Sequence, residues 1–228
     1  MKLASLRRSR GFSLLELAIV MVVIGLVVAG LLAGRALITQ SEIKTVVGDF
    51  NSLMASYFSY RDRYAAEPGD DAKASGRWAN ARDGNGDGRI SGTYDEAAPT
   101  SANLGSGSFT IDGTAGESLN FWWHLRLAGL VREAPGAASI ATQPQNAFAG
   151  LIGVQTGGAG LQGLTMCQAN LPGNIAEAVE GQLDDMKPST GHFRGVRQSQ
   201  NPQPLATATP VIYYEGRSDV AYVVCRAP

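Results

Sequence analysis

The sequence predicts an α+β protein: a long N-terminal helix packed on a small C-terminal antiparallel sheet, with long glycine-rich loops between. Three observations predict it. From Phe12 to about Gly34 the chain is apolar and carries a single charged side chain, Glu16. That run passes without a proline into Ala36–Tyr64, where apolar residues recur at helical spacing. Further on, the 28 glycines concentrate between Gly84 and Gly116 and between Gly150 and Gly163, and β-rich runs close the chain.

The first element divides at about residue 34. A bilayer core needs roughly 20 apolar residues in a helix, and residues 12–34 supply that length. Lys2, Arg7, Arg8 and Arg10 lie in the short leader before it, residues 1–11, and the positive-inside tendency places that end in the cytoplasm. Residues 35–64 continue the helix in amphipathic form. Ile43, Val46, Val47, Phe50, Leu53, Met54, Tyr57, Tyr60 and Tyr64 make one stripe, with Glu42, Lys44, Asp49, Asn51 and Arg61 on the other face. Pro68 and Gly69 end the pattern. Residues 65–228 then form an extracytoplasmic globular domain, long enough for its own core.

Within that domain Glu117 to Leu130 reads as a helix with a broad apolar surface from Leu119, Trp122, Trp123, Leu127 and Leu130, and His124 is a packed residue on it. Asn174-Ile175-Ala176-Glu177 has the form of a capping box and opens a helix with Ile175, Val179 and Leu183 on one face. Asp184-Asp185-Met186-Lys187-Pro188 terminates it. Phe193 to Val196 reads as a strand, and Val211–Glu215 with Val220–Cys225 as a hairpin turning at Gly216–Asp219. Pro135–Pro144 and Asn201–Pro210 read as surface connections.

Cys167 and Cys225 are the only cysteines. On the exported side of a membrane a bond between them is favoured over two separate buried thiols. Asp83-Gly84-Asn85-Gly86-Asp87-Gly88-Arg89-Ile90 has the first half of an EF-hand-type loop. Oxygen-bearing side chains stand at the first, third and fifth positions and a glycine at the sixth. The twelfth position, where a bidentate glutamate belongs, is Tyr94. Two readings follow. In one, calcium is held by Asp83, Asn85, Asp87 and the Arg89 carbonyl, with Asp95, Glu96 or the distant Asp70 and Asp71 completing the shell. In the other, the segment is a glycine-rich turn whose Asp and Asn side chains bond the local backbone.

Arg10-Gly11-Phe12-Ser13-Leu14-Leu15-Glu16-Leu17 closely resembles the prepilin signature of type IV pilins and type II secretion pseudopilins. An ordinary secretory signal loses its apolar region on cleavage. A cut between Gly11 and Phe12 would keep it. The resemblance implies that a prepilin peptidase cuts there and methylates the Phe12 amine. It implies too that Glu16 pairs with the Phe12 amine of a neighbouring pilin or pseudopilin subunit during assembly. An ionisable group inside a membrane span is itself a functional-site hypothesis. Pro68–Asp70, Asp83–Ile90, Glu117–Val131 and Leu171–Arg194 also resemble a group of bacterial pilin-like proteins built as a long helix on a small antiparallel sheet.

These features predict a structural, non-enzymatic subunit of a pilus or pseudopilus in the bacterial inner membrane, its domain periplasmic or in an extracellular filament. The alternative is a minor tip pilin that acts as an adhesin or binding module for a surface, a secreted protein or, as the least favoured ligand, DNA. There is no HExxH, no phosphate loop and no nucleophile–base constellation. With 19 Lys+Arg against 20 Asp+Glu and no basic stripe interleaved with aromatics, a nucleic-acid partner is not expected.

Overall fold

The computed structural model describes residues 13–95, 116–132, 142–199, 205–216 and 219–228. A single helix, α1 (Leu14–Tyr64), opens the chain. There follow α2 (Ala74–Arg77), α3 (Glu117–Leu127), β1 (Ile152–Gly158), β2 (Leu161–Pro172), α4 (Gly173–Leu183), β3 (Phe193–Arg197) and β4 (Ala221–Arg226). The four strands form one antiparallel sheet in the order β1-β2-β4-β3. The chain divides into two compact units, Met1–Ser41 and Glu42–Pro228, and the boundary falls inside α1.

The second unit is built on the amphipathic part of α1. Ile43, Val46, Phe50, Leu53, Tyr57 and Tyr60 are buried there, at the three- and four-residue spacing that puts them on one face. Val47, Met54 and Tyr64 flank this face half-buried. Strand alternation then sorts the sheet into two sides. Met166, Leu171, Tyr222 and Val224 join the cluster containing the α1 stripe, whereas Cys167, Ala169, Val223 and Cys225 form a second cluster with Tyr94 and Leu205. Gln168 crosses the first interface, and its side-chain amide donates to the Val46 carbonyl at 3.0 Å.

Cys167 and Cys225 face one another in the β2–β4 register and are joined by a disulfide, both fully buried. Loops cover both sheet edges, which would otherwise present unpaired backbone groups. Thr156 donates to the Ile90 carbonyl and Ile152 to the Pro144 carbonyl along β1. Along β3, Gly195 donates to the Pro188 carbonyl and accepts from Val211.

Several expectations are corrected. The glycines from Gly150 to Gly163 do not make a loop; most of the segment is the β1–β2 hairpin. Its turn residues Ala159 and Gly160 both have positive φ, 50° and 81°, as a tight two-residue hairpin turn requires. A side chain at Gly153 would collide with the Tyr94 carbonyl. Val211–Glu215 is not a strand, and β4 pairs with β2 and β3 instead. Tyr214 packs edge-on against Tyr222, and the Tyr222 hydroxyl accepts from the Glu215 N–H, so this segment wraps the sheet rather than extending it. The expected capping box at Asn174 is absent, because α4 starts at Gly173 directly off β2 without a side-chain cap. Only a glycine fits there, against the Glu215 carbonyl. Finally α3 stops at Leu127, and Gly129 follows with φ +69°.

The disulfide closes a loop across 58 positions of sequence, worth about 4 kcal/mol in the chain-entropy picture. Cys225→Ser is expected to lower stability by that order in urea unfolding of the unit from Glu42 onward. An unchanged midpoint would show that the paired strands alone hold the register.

Candidate functional site

The N-terminal segment begins with a cap. Ser13 precedes α1, and its Oγ accepts from the Glu16 N–H at 3.3 Å. Ser13-x-x-Glu16 thus has the spacing of a capping box, with the glutamate in the first helical turn, where the helix dipole favours negative charge. From Leu14 to Ile38 the large apolar side chains are 47–88 % exposed. This is the one described helix long and apolar enough to cross a membrane. Gly11, Phe12 and the four basic leader residues lie outside the described residues.

The loop from Asp83 to Ser91 is organised by carboxylates that reach into it. Asp70 accepts from the N–H groups of Gly86 (2.6 Å), Asp87 (3.2 Å) and Gly88 (2.7 Å). Glu117, the first residue of α3, accepts from Asn85 at 3.0 Å and Ser91 at 2.9 Å. Gly86 and Gly88 have positive φ, 75° and 78°, which turns successive N–H groups to one side as an anion-holding concavity. Burial pushes the Asp70 carboxyl above the usual carboxylate range, with the amide bonds opposing.

Of the expected calcium ligands, Asp83, Asn85 and Asp87 are engaged in hydrogen bonds within the loop and to Ser75. Both Asp83 oxygens accept from Ser75, its N–H and its hydroxyl, each at 2.7 Å. Asn85 Oδ1 accepts from the Asp87 N–H and Asp87 Oδ1 from the Arg89 N–H. Asp95 is buried, and Glu96 lies outside the described residues. Among the described residues no three His, Cys, Asp or Glu side chains are placed to hold a metal ion. In the described loop the N–H groups of Gly86, Asp87 and Gly88 face inward to Asp70, the local backbone bonding of the glycine-rich-turn reading.

Two buried titratable residues matter structurally. His124 Nδ1 accepts from the Gly69 N–H at 2.9 Å and Nε2 lies 2.7 Å from the Arg82 carbonyl. The first bond requires a bare Nδ1, so the ring is the neutral Nε2–H form. Burial pushes its pKa down to about 4. The ring stacks on Tyr60, whose hydroxyl donates to Asp71 at 2.7 Å, so α1, α3 and the loop base are tied through one side chain. Glu180 on α4 is fully buried, and burial pushes its carboxyl up to about 7 with Tyr214 beside it. Sequence reading missed Asp70 and Glu117 as organisers and Glu180 altogether; the α4 pattern held only a faint sign of it, an acid one position from the apolar Val179.

Residues 6–32 match the prokaryotic N-terminal methylation motif. This is the prepilin-type signature of type IV pilins and pseudopilins. It supports a pilin-like or pseudopilin-like protein anchored by a single apolar helix. No curated protein and no solved structure gives a significant match.

Two outcomes are expected. Asp70→Asn leaves the loop amides without their carboxylate and should cost about 2 kcal/mol, while millimolar calcium should leave the wild-type melting midpoint where chelator leaves it. A rise with calcium that Asp87→Ala abolishes would restore the metal reading. For His124 the folded pKa lies below the unfolded value of about 6.5. The unfolded chain therefore takes up the proton first, and this residue's contribution to stability falls as pH drops from about 6.5 towards 4, by up to about 3 kcal/mol. The raised carboxyl of Glu180 acts in the opposite sense across that window. The check is therefore the difference: urea titrations should show the stability of wild type relative to His124→Gln falling as pH drops from about 6.5 towards 4.

Proposed function

We propose that this chain is a structural subunit of a type IV pilus or a type II secretion pseudopilus. A prepilin peptidase cuts it between Gly11 and Phe12 and methylates the Phe12 amine. It is held in the bacterial inner membrane by residues 12–34, with the unit from Glu42 onward on the far side. The observation that carries the reading is the methylation motif at residues 6–32 running into an apolar helix with no protein covering it.

Cleavage after Gly11 would leave the mature chain beginning Phe12-Ser13, so the Ser13 cap survives processing and a charged amine stands next to the start of the helix. In the bilayer the Glu16 carboxylate is costly unless it meets a cation. The Phe12 amine of a neighbouring subunit supplies one, and the pairing becomes available only on assembly. Membrane storage and filament growth then use the same helix, first against lipid and then against other subunits.

Intact-mass measurement of the protein extracted from membranes should give a chain starting at methylated Phe12; a start at Met1, or a cut beyond Ala33, overturns the processing step. Glu16→Val should leave membrane insertion intact, or ease it by up to about 3 kcal/mol at the bilayer centre, and should impair incorporation into filaments. Normal co-assembly of the valine variant would refute the pairing role.

A further inference from the structure

A cleft of about 390 Å³ opens beside the amphipathic part of α1, lined among others by Asp49, Leu53, Trp122, Val131, Arg132 and Ile152. Asp49 is half-buried on its wall, with no ion pair and no side-chain hydrogen bond among the described residues. Ser52 donates to the Asp49 backbone carbonyl rather than to its carboxylate, and Arg132 makes no ion pair with it. Burial alone pushes the Asp49 carboxyl up to about 6. Among the described residues the Asp49 carboxylate thus shares the cleft with Arg132 but forms no ion pair there.

The chain carries a matching cation on the same helix. Lys44 is exposed, has no ion pair among the described residues, and is the only basic residue between Arg35 and Arg61. Five positions on an α-helix are about 140° apart around the axis. Lys44 and Asp49 thus lie on nearly opposite sides, as a head-to-tail contact between identical subunits requires. The stagger agrees. Pairing the Phe12 amine of one copy with Glu16 of the next offsets parallel helices by four residues, about 6 Å. The same offset brings Lys44 level with residue 48, within about 1.5 Å of Asp49 along the axis. Arg35 would stop level with residue 39, about 15 Å short.

We propose that the cleft receives Lys44 of a second copy of this chain, its aliphatic stem along Leu53, Trp122 and Ile152 and its ammonium on the Asp49 carboxylate. The contact is heterologous, so each subunit offers one lysine and accepts another, and the row does not close. It rests on the filament reading above and adds to it a second charged pair in the same register, outside the membrane. A lysine suits the site because its stem packs on apolar surface while its head keeps the charge.

The test uses the full chain expressed with its own assembly machinery. Lys44→Cys combined with Asp49→Cys should give, on oxidation, a ladder of trimers and larger species, whereas either cysteine alone gives none beyond a dimer. Moving the second cysteine along α1 should place the strongest ladder at 49, with little at 58. Lys44→Asp and Asp49→Lys should each reduce filament yield about tenfold, as breaking one side of a desolvated pair does, and the double swap should restore it. Filaments that depend on Glu16 but show no ladder at 49, or a stronger one elsewhere, overturn the Lys44–Asp49 contact and leave the filament reading standing. A wild-type chain that forms no filament overturns both.

Discussion

The burial of one stripe of α1, Ile43 to Tyr60, is the constraint on which the rest of the second unit depends. Val46 and Tyr60 have no exposed surface, and Phe50, Leu53 and Tyr57 almost none. The strands, α3 and α4 all contribute apolar side chains to the cluster this stripe anchors. No strand could be stable without such a cover, since a small sheet needs a packed face. The helix that supplies it is also apolar on every side upstream of Arg35. An α-helix satisfies its own backbone hydrogen bonds in lipid and in water alike, so one uninterrupted element serves two solvents. Only the side-chain pattern changes along it, from apolar all round to amphipathic.

A second layer of organisation comes from buried carboxylates. Asp70 and Glu117 together take five backbone N–H groups from the loop that follows Asp83. Burying a carboxylate is costly without such partners, and ordering a glycine-rich loop is costly in entropy. Each offsets the other. Glu117 carries the effect further, since it begins α3 and so fixes that helix against the loop. His124, one face of the same helix, bonds the backbone on both sides of the loop base at Gly69 and Arg82. A calcium loop and this arrangement draw on the same residues, Asp, Asn and Gly, because both need tight turns and charged oxygen. They differ in whether the carboxylates come from within the loop or from outside it.

That difference marks where the sequence was legible. Periodicity exposed α1 throughout, since its stripe lies in a single continuous segment, and it exposed α3, α4 and β3 for the same reason. It failed at β1, where Gly153, Gly157 and Gly158 imitate a loop. The glycines there answer to contacts from distant chain, the Tyr94 carbonyl against Gly153 and Leu205 near Gly158, which no local pattern records. The strand assigned to Val211–Glu215 failed in the opposite sense: its residues are β-prone, but the edge they meet is only partly free and Tyr214 turns inward over Gly195. In the candidate site, Glu16 was legible because an acid in an apolar run is conspicuous. Asp70 was legible only as a distant acid able to reach the loop, and Asp49 not at all, because their roles lie in what surrounds them after folding.

Glu16 and Asp49 share a physical character that the core residues lack. Each is an acid on α1 that forms no ion pair among the described residues. A protein meant to remain a monomer gains nothing from such groups, and replacing a half-buried, unpaired acid with an apolar residue is commonly neutral or stabilising. A subunit that must wait in one environment and assemble in another gains selectivity from them. Apolar helix faces pack in many registers at similar free energy, whereas a misplaced charge left unpaired in lipid or in a cleft penalises every wrong one. The apolar length of α1 therefore provides attraction without choice, and its few charges provide the choice.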